Sequence, residues 1–235
     1  MFTGIVQGKA IIDSINDHDA LRTFEIEFPE GFCEGLAIGA SVAIDGVCLT
    51  VTEIKSPTRA CFDVMLQSVN ITTLGSYAEK QCVNVERAAK DGAEIGGHPL
   101  SGHVDFFAEI DRVSIFEGNK VIRFKIPQQF MRYIFAKGYI AVNGCSLTIA
   151  EVNKQENWFE VWFIPETRRV TTFEEKVAGD IVNIEIERET QVKVDTIRDA
   201  VEETLGGLEP VLRKLLADSG YDIDQLVSPK VLTQK

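Results

Sequence analysis

Apolar and polar positions along this chain change over in short runs, and most of those runs carry the signature of strands. Ser41 to Ile54 and Tyr139 to Val152 are rich in β-branched residues, and each is interrupted at Gly46 or Gly144, where a hairpin or bulge belongs. Phe159 to Ile164 runs apolar and stops at Pro165. Asp180 to Glu187 sets Ile181, Asn183 and Glu185 against Val182, Ile184 and Ile186. Strands at this regular spacing predict small antiparallel barrels. Two stretches depart from the pattern: Gln128 to Ile134, after Pro127, reads as one short helix, and Pro29 to Leu36 is its weaker match in the first half. Near the end, Val194, Ile197, Val201 and Leu205 recur at helical spacing, with Asp195 or Thr196 as cap and Gly206-Gly207 as stop. Leu208 to Ala217 resumes the stripe with Val211, Leu212, Leu215 and Leu216. The polar tail from Tyr221 to Lys235 contains Pro229 and is expected to be loosely ordered.

The strand pattern occurs twice. Ile140 to Val152 repeats Val42 to Ile54 at an offset of 98 residues, and the same offset lays Leu100-Ser101-Gly102-His103-Val104 on Phe2-Thr3-Gly4-Ile5-Val6. With one inserted residue, Val182 to Glu185 falls on Val83 to Glu86 and Thr171-Thr172 on Thr72-Thr73. A period this long is no solenoid. The chain is therefore expected to be mainly all-β, two tandem copies of one barrel domain over residues 1–97 and 98–190, with a helical segment and tail over 191–235. Two similar domains offer two similar binding sites. The helix has no counterpart in the first half, and its apolar stripe calls for a covering surface, either its own barrel or a neighbouring subunit.

Composition narrows the partners. With 235 residues, 45% of them hydrophobic, there is apolar material for two ordinary cores. A net charge of −12 repels a phosphate backbone, so no nucleic acid is expected. No apolar run approaches the ~20 residues of a membrane span, and the start lacks a basic signal region, so the expected location is cytoplasmic with no membrane contact. Cys33, Cys48, Cys61, Cys82 and Cys145 form an odd set without CxxC spacing and read as free thiols.

Several separate motifs occur together: the opening Met1 to Val6, the Gly96-Gly97-His98-Pro99-Leu100-Ser101-Gly102-His103-Val104-Asp105 segment, the paired Gly-x-Cys-Leu-Thr and Gly-x-Ser-Leu-Thr blocks, and Ile164-Pro165-Glu166-Thr167. From Met1 to about Thr196 the chain resembles the riboflavin synthase family of the alpha-chain type. The resemblance implies two six-stranded antiparallel Greek-key barrels and a C-terminal helix in a homotrimer, with association with lumazine synthase among its possible partners. It implies dismutation of two 6,7-dimethyl-8-ribityllumazine molecules without metal, flavin or nicotinamide. The reacting pair is then held between the first barrel of one subunit and the second barrel of its neighbour.

The same resemblance assigns the site. Cys48 and Ser146, equivalent in the repeat, are placed beside the lumazine rings as hydrogen-bonding or nucleophilic groups. A cysteine in an apolar strand is usually core filling; its pairing with a polar serine argues otherwise. Thr50 and Thr148 follow two residues later, on the same strand face. His103 falls on apolar Ile5 in the repeat, and histidine titrates where a proton must leave and return; the catalytic set is Cys48, His103, Ser146 and Thr148. Gly4-Ile5-Val6, Gly102-His103-Val104, Leu49, Leu147, Asp63-Val64-Met65-Leu66-Gln67-Ser68 and Ile164-Pro165-Glu166-Thr167-Arg168-Arg169 complete two pockets, and Lys137 matches a lysine that reaches the ligand of an adjacent chain. His98 is read as loop support and His18 as inert. Glycines and Pro99 around His98 and His103 forbid the helix that would align two zinc ligands, so no metal site is expected. Three departures stand out: Gln67-Ser68 where Glu-Thr is common, Asp45 and Asn143 with acid and amide exchanged between the glycine blocks, and Glu187 in place of Asp. The alternatives are a non-catalytic lumazine or flavin antenna protein and, more distantly, a flavin oxidoreductase, which lacks its GxGxxG partner domain here.

Overall fold

The computed structural model describes residues 1–18 and 21–220, and both expected barrels are present as closed six-stranded antiparallel sheets. The first contains β1 (Gly8–His18), β2 (Leu21–Glu27), β3 (Ser41–Ile44), β4 (Val47–Ser56), β5 (Arg59–Met65) and β6 (Cys82–Arg87), in the order β1-β2-β5-β4-β3-β6. The second repeats that order with β7 (Phe106–Phe116), β8 (Asn119–Lys125), β9 (Tyr139–Val142), β10 (Cys145–Asn153), β11 (Trp158–Phe163) and β12 (Ile181–Ile186). Closure removes the free edges that would otherwise invite pairing with other chains. Gln128–Tyr133 forms the expected short helix as a 3-10 turn.

The glycine blocks make the hairpins β3-β4 and β9-β10. Asp45 and Gly46 have φ of 42° and 82°, and Asn143 and Gly144 have 43° and 75°. Left-handed backbone at both central residues is what a two-residue turn of this hand needs, hence the Asp-Gly and Asn-Gly pairs. The two turns meet each other. A Cβ on Gly46 would lie 2.6 Å from the Gly144 nitrogen, so neither glycine can be exchanged. Around them Asn84 and Asn183 tie the barrels together: the Asn84 Nδ2 donates to the Asn143 carbonyl at 3.0 Å, and the Asn183 Nδ2 donates to the Asp45 carbonyl at 2.9 Å. Each side-chain oxygen accepts a backbone N–H from the other barrel, of Thr172 and Thr73 respectively.

Each barrel buries its own apolar core, with Ile12, Phe24, Ile26 and Phe62 in the first and Ile110, Phe124, Phe159 and Phe173 in the second. One unit of the chain, Met1–Arg188, contains both barrels; the other begins at Glu189. Two short helices follow the equivalent strands β5 and β11, α1 (Leu66–Ile71) and α2 (Pro165–Val170), so Pro165 begins a helix as well as ending a strand.

The C-terminal segment differs from expectation. Helix α3 runs unbroken from Arg188 to Asp218, starting before Asp195 and passing through Gly206-Gly207 and Pro210. Glycine weakens a helix by about 1 kcal/mol but keeps its N–H, so two glycines lower stability without ending the hydrogen-bond ladder. The Pro29 to Leu36 match does not form a helix. It is a series of turns, with Gly31 and Gly35 at φ of 79° and 62°. The tail beyond Gly220 lies outside the described residues.

Candidate active site

Alternation along β4 buries Val47, Leu49 and Val51 and turns Cys48 and Thr50 to the outer wall of the first barrel. In β10, Cys145, Leu147 and Ile149 are buried, and Ser146 and Thr148 occupy the same outward positions. The expected shared faces are therefore present. Leu49 and Leu147, by contrast, give their side chains to the cores, leaving only backbone groups to meet a ligand.

The segments that lead into the two barrels are exchanged. The Gly4 carbonyl accepts the Ser146 N–H at 2.8 Å, and the Gly102 carbonyl accepts the Cys48 N–H at 2.9 Å. Val6 belongs to the second barrel's core, and Val104 packs on the first. Two buried carboxylates hold the crossing in place. Glu86 accepts from the Thr3 N–H at 2.6 Å, the Thr3 hydroxyl at 2.7 Å and the Gly4 N–H at 3.1 Å. Glu185 does the same for Ser101 and Gly102, at 2.7, 2.7 and 3.0 Å. Burial pushes both carboxyl groups above their ordinary range, and the hydrogen bonds oppose it. Gly4 and Gly102 have φ of 75° and 76°, and a Cβ on either would come within 2.6 Å of the Cβ of Ser146 or Cys48. Only glycine lets the backbones approach this closely.

A cavity of about 310 Å³ opens where this crossing meets the second barrel, lined by Gly4, Ile5, Val6, Cys145, Ser146, Glu166, Thr167, Val170 and Thr171. Six of the expected site residues thus converge from the N-terminus, β10 and α2. Ile164 and Pro165 lie exposed just before them, and Arg168 and Arg169 turn elsewhere: Arg168 binds Glu174, and Arg169 pairs with Glu166 and lowers the pKa of that carboxyl. Lys137 is exposed in a turn, its N–H on the Ile149 carbonyl at 2.7 Å, and is not part of the lining. A wider hollow of about 630 Å³ along the inter-barrel linker shares only Ile5 with the expected set. The smaller cavity is the one that adjoins the candidate chemistry.

On the first barrel the equivalent position is bounded by Gly102, His103 and Val104 beside Cys48. His103 is exposed, its N–H on the Ser101 hydroxyl. Asp63 is exposed and accepts from the Thr23 hydroxyl at 2.7 Å, Val64 is in the core, and Met65 is exposed. Leu66, Gln67 and Ser68 open α1, the counterpart of α2. His98 does more than support its loop. It is buried, its Nδ1 lies 2.6 Å from the Ser146 Oγ, and its ring stacks on Tyr139.

The lumazine binding domain family matches this chain twice, over residues 3–88 and 101–187. Riboflavin synthase of Escherichia coli K12 is 47% identical over 198 residues, covering 84% of this chain and 92% of that one. The corresponding enzyme of Chlamydia pneumoniae is 39% identical and covers 94% and 100%. The chain belongs to the riboflavin synthase family. Among solved structures, LumP complexed with 6,7-dimethyl-8-(1'-D-ribityl) lumazine aligns with a TM-score of 0.72 at 27% identity, and LumP complexed with riboflavin with 0.74 at 28%; each covers 80% of this chain and all of LumP.

Within this riboflavin synthase fold, the exchange of acid and amide between the glycine blocks has a structural consequence. Asp45 is fully buried and accepts the Tyr77 hydroxyl at 2.7 Å and the Asn84 N–H at 2.7 Å. Burial outweighs these bonds and the field of Lys176, and pushes the carboxyl up to about 6. Tyr77 is held well above its ordinary range by the same burial and by Asp45. In the second barrel Asn143 accepts the Asn183 N–H at 2.7 Å without a charge. The repeat lays Tyr77 on Lys176, and the Thr172 hydroxyl is left without the partner that Tyr77 gives Thr73.

Proposed function

We propose that this chain converts two molecules of 6,7-dimethyl-8-ribityllumazine into riboflavin and 5-amino-6-(D-ribitylamino)uracil by moving a four-carbon unit from one to the other. The supporting observation is the crossed duplication, in which each outward Cys48 or Ser146 meets a glycine segment from the opposite repeat. A reaction between two like molecules gains most from two like sites that fix both in attack geometry. Cys48 and Ser146 are the groups beside the two rings, Thr50 and Thr148 pair with polar ring edges, and His103 takes a proton from the acidic carbon-7 methyl and returns it later. Backbone groups of Gly4 to Val6, Gly102 to Val104, Asp63 to Ser68 and Ile164 to Arg169 orient the ligands. No metal, flavin or nicotinamide takes part.

In this reading residues 1–97 and 98–190 are the two lumazine-binding units, and 191–235 assembles a homotrimer in which unlike barrels of neighbouring subunits face one another, with Lys137 reaching across. The exposed stripe of Ile197, Val201, Leu205 and Leu208 on α3 is consistent with such an assembly. The protein works in the cytoplasm, and lumazine synthase is a candidate partner. Incubation with the lumazine alone, in excess EDTA, tests the reaction: riboflavin accumulates with no addition. The likeness to LumP, solved with this lumazine and with riboflavin bound, supports a second reading, a non-catalytic lumazine- or flavin-binding protein. Retention of lumazine without any riboflavin formation would favour that reading.

A further inference from the structure

Ser146 and Cys48 are equivalent in the repeat but not in their surroundings. The Ser146 hydroxyl is held from the linker between barrels, where the His98 Nδ1 lies 2.6 Å from its Oγ. The linker lies so close that a Cβ on Gly97 would fall 2.6 Å from the Ser146 Cβ and 2.4 Å from the Thr3 carbonyl oxygen. The His98 ring in turn is clamped against Tyr139, with centroids 5.2 Å apart and planes within 17°. Tyr139 is the cross-strand partner of Thr148. A buried ring thus lies between the Ser146 hydroxyl and Tyr139, the cross-strand neighbour of Thr148.

Among the described residues the first barrel shows neither part of this clamp. At the offset of 98 residues, Tyr139 falls on Ser41, which is the cross-strand partner of Thr50. Among the described residues no histidine is hydrogen-bonded to the Cys48 side chain as His98 is to Ser146. The His98 Nε2 is buried without a hydrogen-bond partner among the described residues, although such a group normally finds one. A ring kept in this unfavourable setting needs a compensating role. Burial holds the imidazole below its ordinary pKa against the field of Glu187, so it bonds Ser146 as a neutral ring. Whichever partner supplies the proton, the bond restrains rotation about the serine side chain.

We infer that His98 is a positioning residue for the second barrel alone, fixing the Ser146 hydroxyl so that the two lumazine sites, alike in fold, present unlike chemistry to their ligands. The inference rests on the lumazine dismutation proposed above, and it identifies which of the two sites carries the oriented hydroxyl. Substrate and product are unchanged by it. An oriented hydroxyl at one site only gives an origin for asymmetry in a reaction that must tell donor from acceptor.

Full-length protein with His98→Phe keeps a flat ring on Tyr139 and removes the nitrogen. Its kcat is expected to fall about tenfold, the scale of one lost oriented hydrogen bond. His98→Asn, whose amide reaches the position of Nδ1, should restore most of the loss. In a Ser146→Ala background the His98→Phe change should alter kcat less than twofold, because its route of action is already gone. Equal losses in both backgrounds, or no loss in either, would overturn the inference. A readout independent of turnover is the nitrogen resonance of the His98 ring, which should shift on Ser146→Ala and stay unmoved on Cys48→Ala. If the parent makes no riboflavin but the resonance shifts as stated, the proposed reaction fails and the pairing stands. If the parent is active and the resonance does not respond to Ser146→Ala, the pairing fails and the reaction stands.

Discussion

Replacing Asp45 by asparagine should stabilise this protein near neutral pH and do almost nothing in acid. The carboxyl is raised from 3.8 to about 6 by burial at the meeting point of the two hairpins, so the folded state holds a proton that the unfolded chain has already released. Below about pH 4 the group is protonated in both states and its contribution is fully present. As pH rises through about 6 the folded protein must hold a buried carboxylate, and that stability is lost. The shift of about 2 units corresponds to about 3 kcal/mol. The asparagine side chain would keep an oxygen for the Asn84 N–H and would donate its amide to the Tyr77 hydroxyl, which can turn to donate to Thr73, now 2.8 Å away. The Asn84 N–H and the Tyr77 hydroxyl each keep a hydrogen-bond partner in the exchange. Urea unfolding followed by tryptophan fluorescence at several pH values measures the difference between variant and parent; the other titrating carboxylates cancel in that difference. The variant should gain about 2–3 kcal/mol at about pH 7.5, and the gain should shrink toward zero near pH 4. A gain that is flat across this range, or a loss at neutral pH, would refute the account of Asp45 as a buried group forced to ionise.

Three further outcomes follow from the site. Gly4→Ala forces a residue with φ of 75° to carry a Cβ 2.5 Å from that of Ser146, so lumazine affinity should drop at least tenfold at one of two sites; Gly102→Ala should do the same at the other, as resolved by two-site fluorescence titration. His103→Gln should lower kcat roughly 10²-fold or more with ligand affinity nearly unchanged, the scale of general acid–base help, and an equal loss of both in stopped assays would make it a positioning group instead. Truncation after Arg188 leaves both barrel cores complete, so the product should still bind lumazine while losing most turnover. Sedimentation paired with activity decides that case, since full activity in a clean monomer contradicts sharing of the site between subunits.

Much of the architecture is local, and local features are legible along a chain. Period-two alternation puts Cys48 and Thr50 on one face and Ser146 and Thr148 on its copy, because side-chain direction in a strand depends only on parity. Asp45-Gly46 and Asn143-Gly144 mark their hairpins, because only such pairs accept left-handed backbone at both positions. Repetition at a fixed offset is enough to count two barrels. The motifs shared with the family are enough to name the candidate site. Gly206-Gly207 misleads, because a weak preference resembles a stop although the backbone N–H groups that make the ladder are still there.

Other features depend on which distant parts of the chain meet. Nothing near Gly4 says that it docks on Ser146 rather than on Cys48, since the two targets have nearly the same sequence around them. The exchange is decided by Glu86 and Glu185, by Val6 and Val104, and by the space between two barrels, all of which exist only after both have closed. His98 shows the same limit. Its type and its glycine-rich setting point to a loop, whereas its role comes from a 2.6 Å approach to a residue 48 positions away. Sequence determined what each strand presents and how many copies there are; tertiary structure decided which copy completes which site, because that choice is made by long-range packing that leaves no periodic trace in the chain.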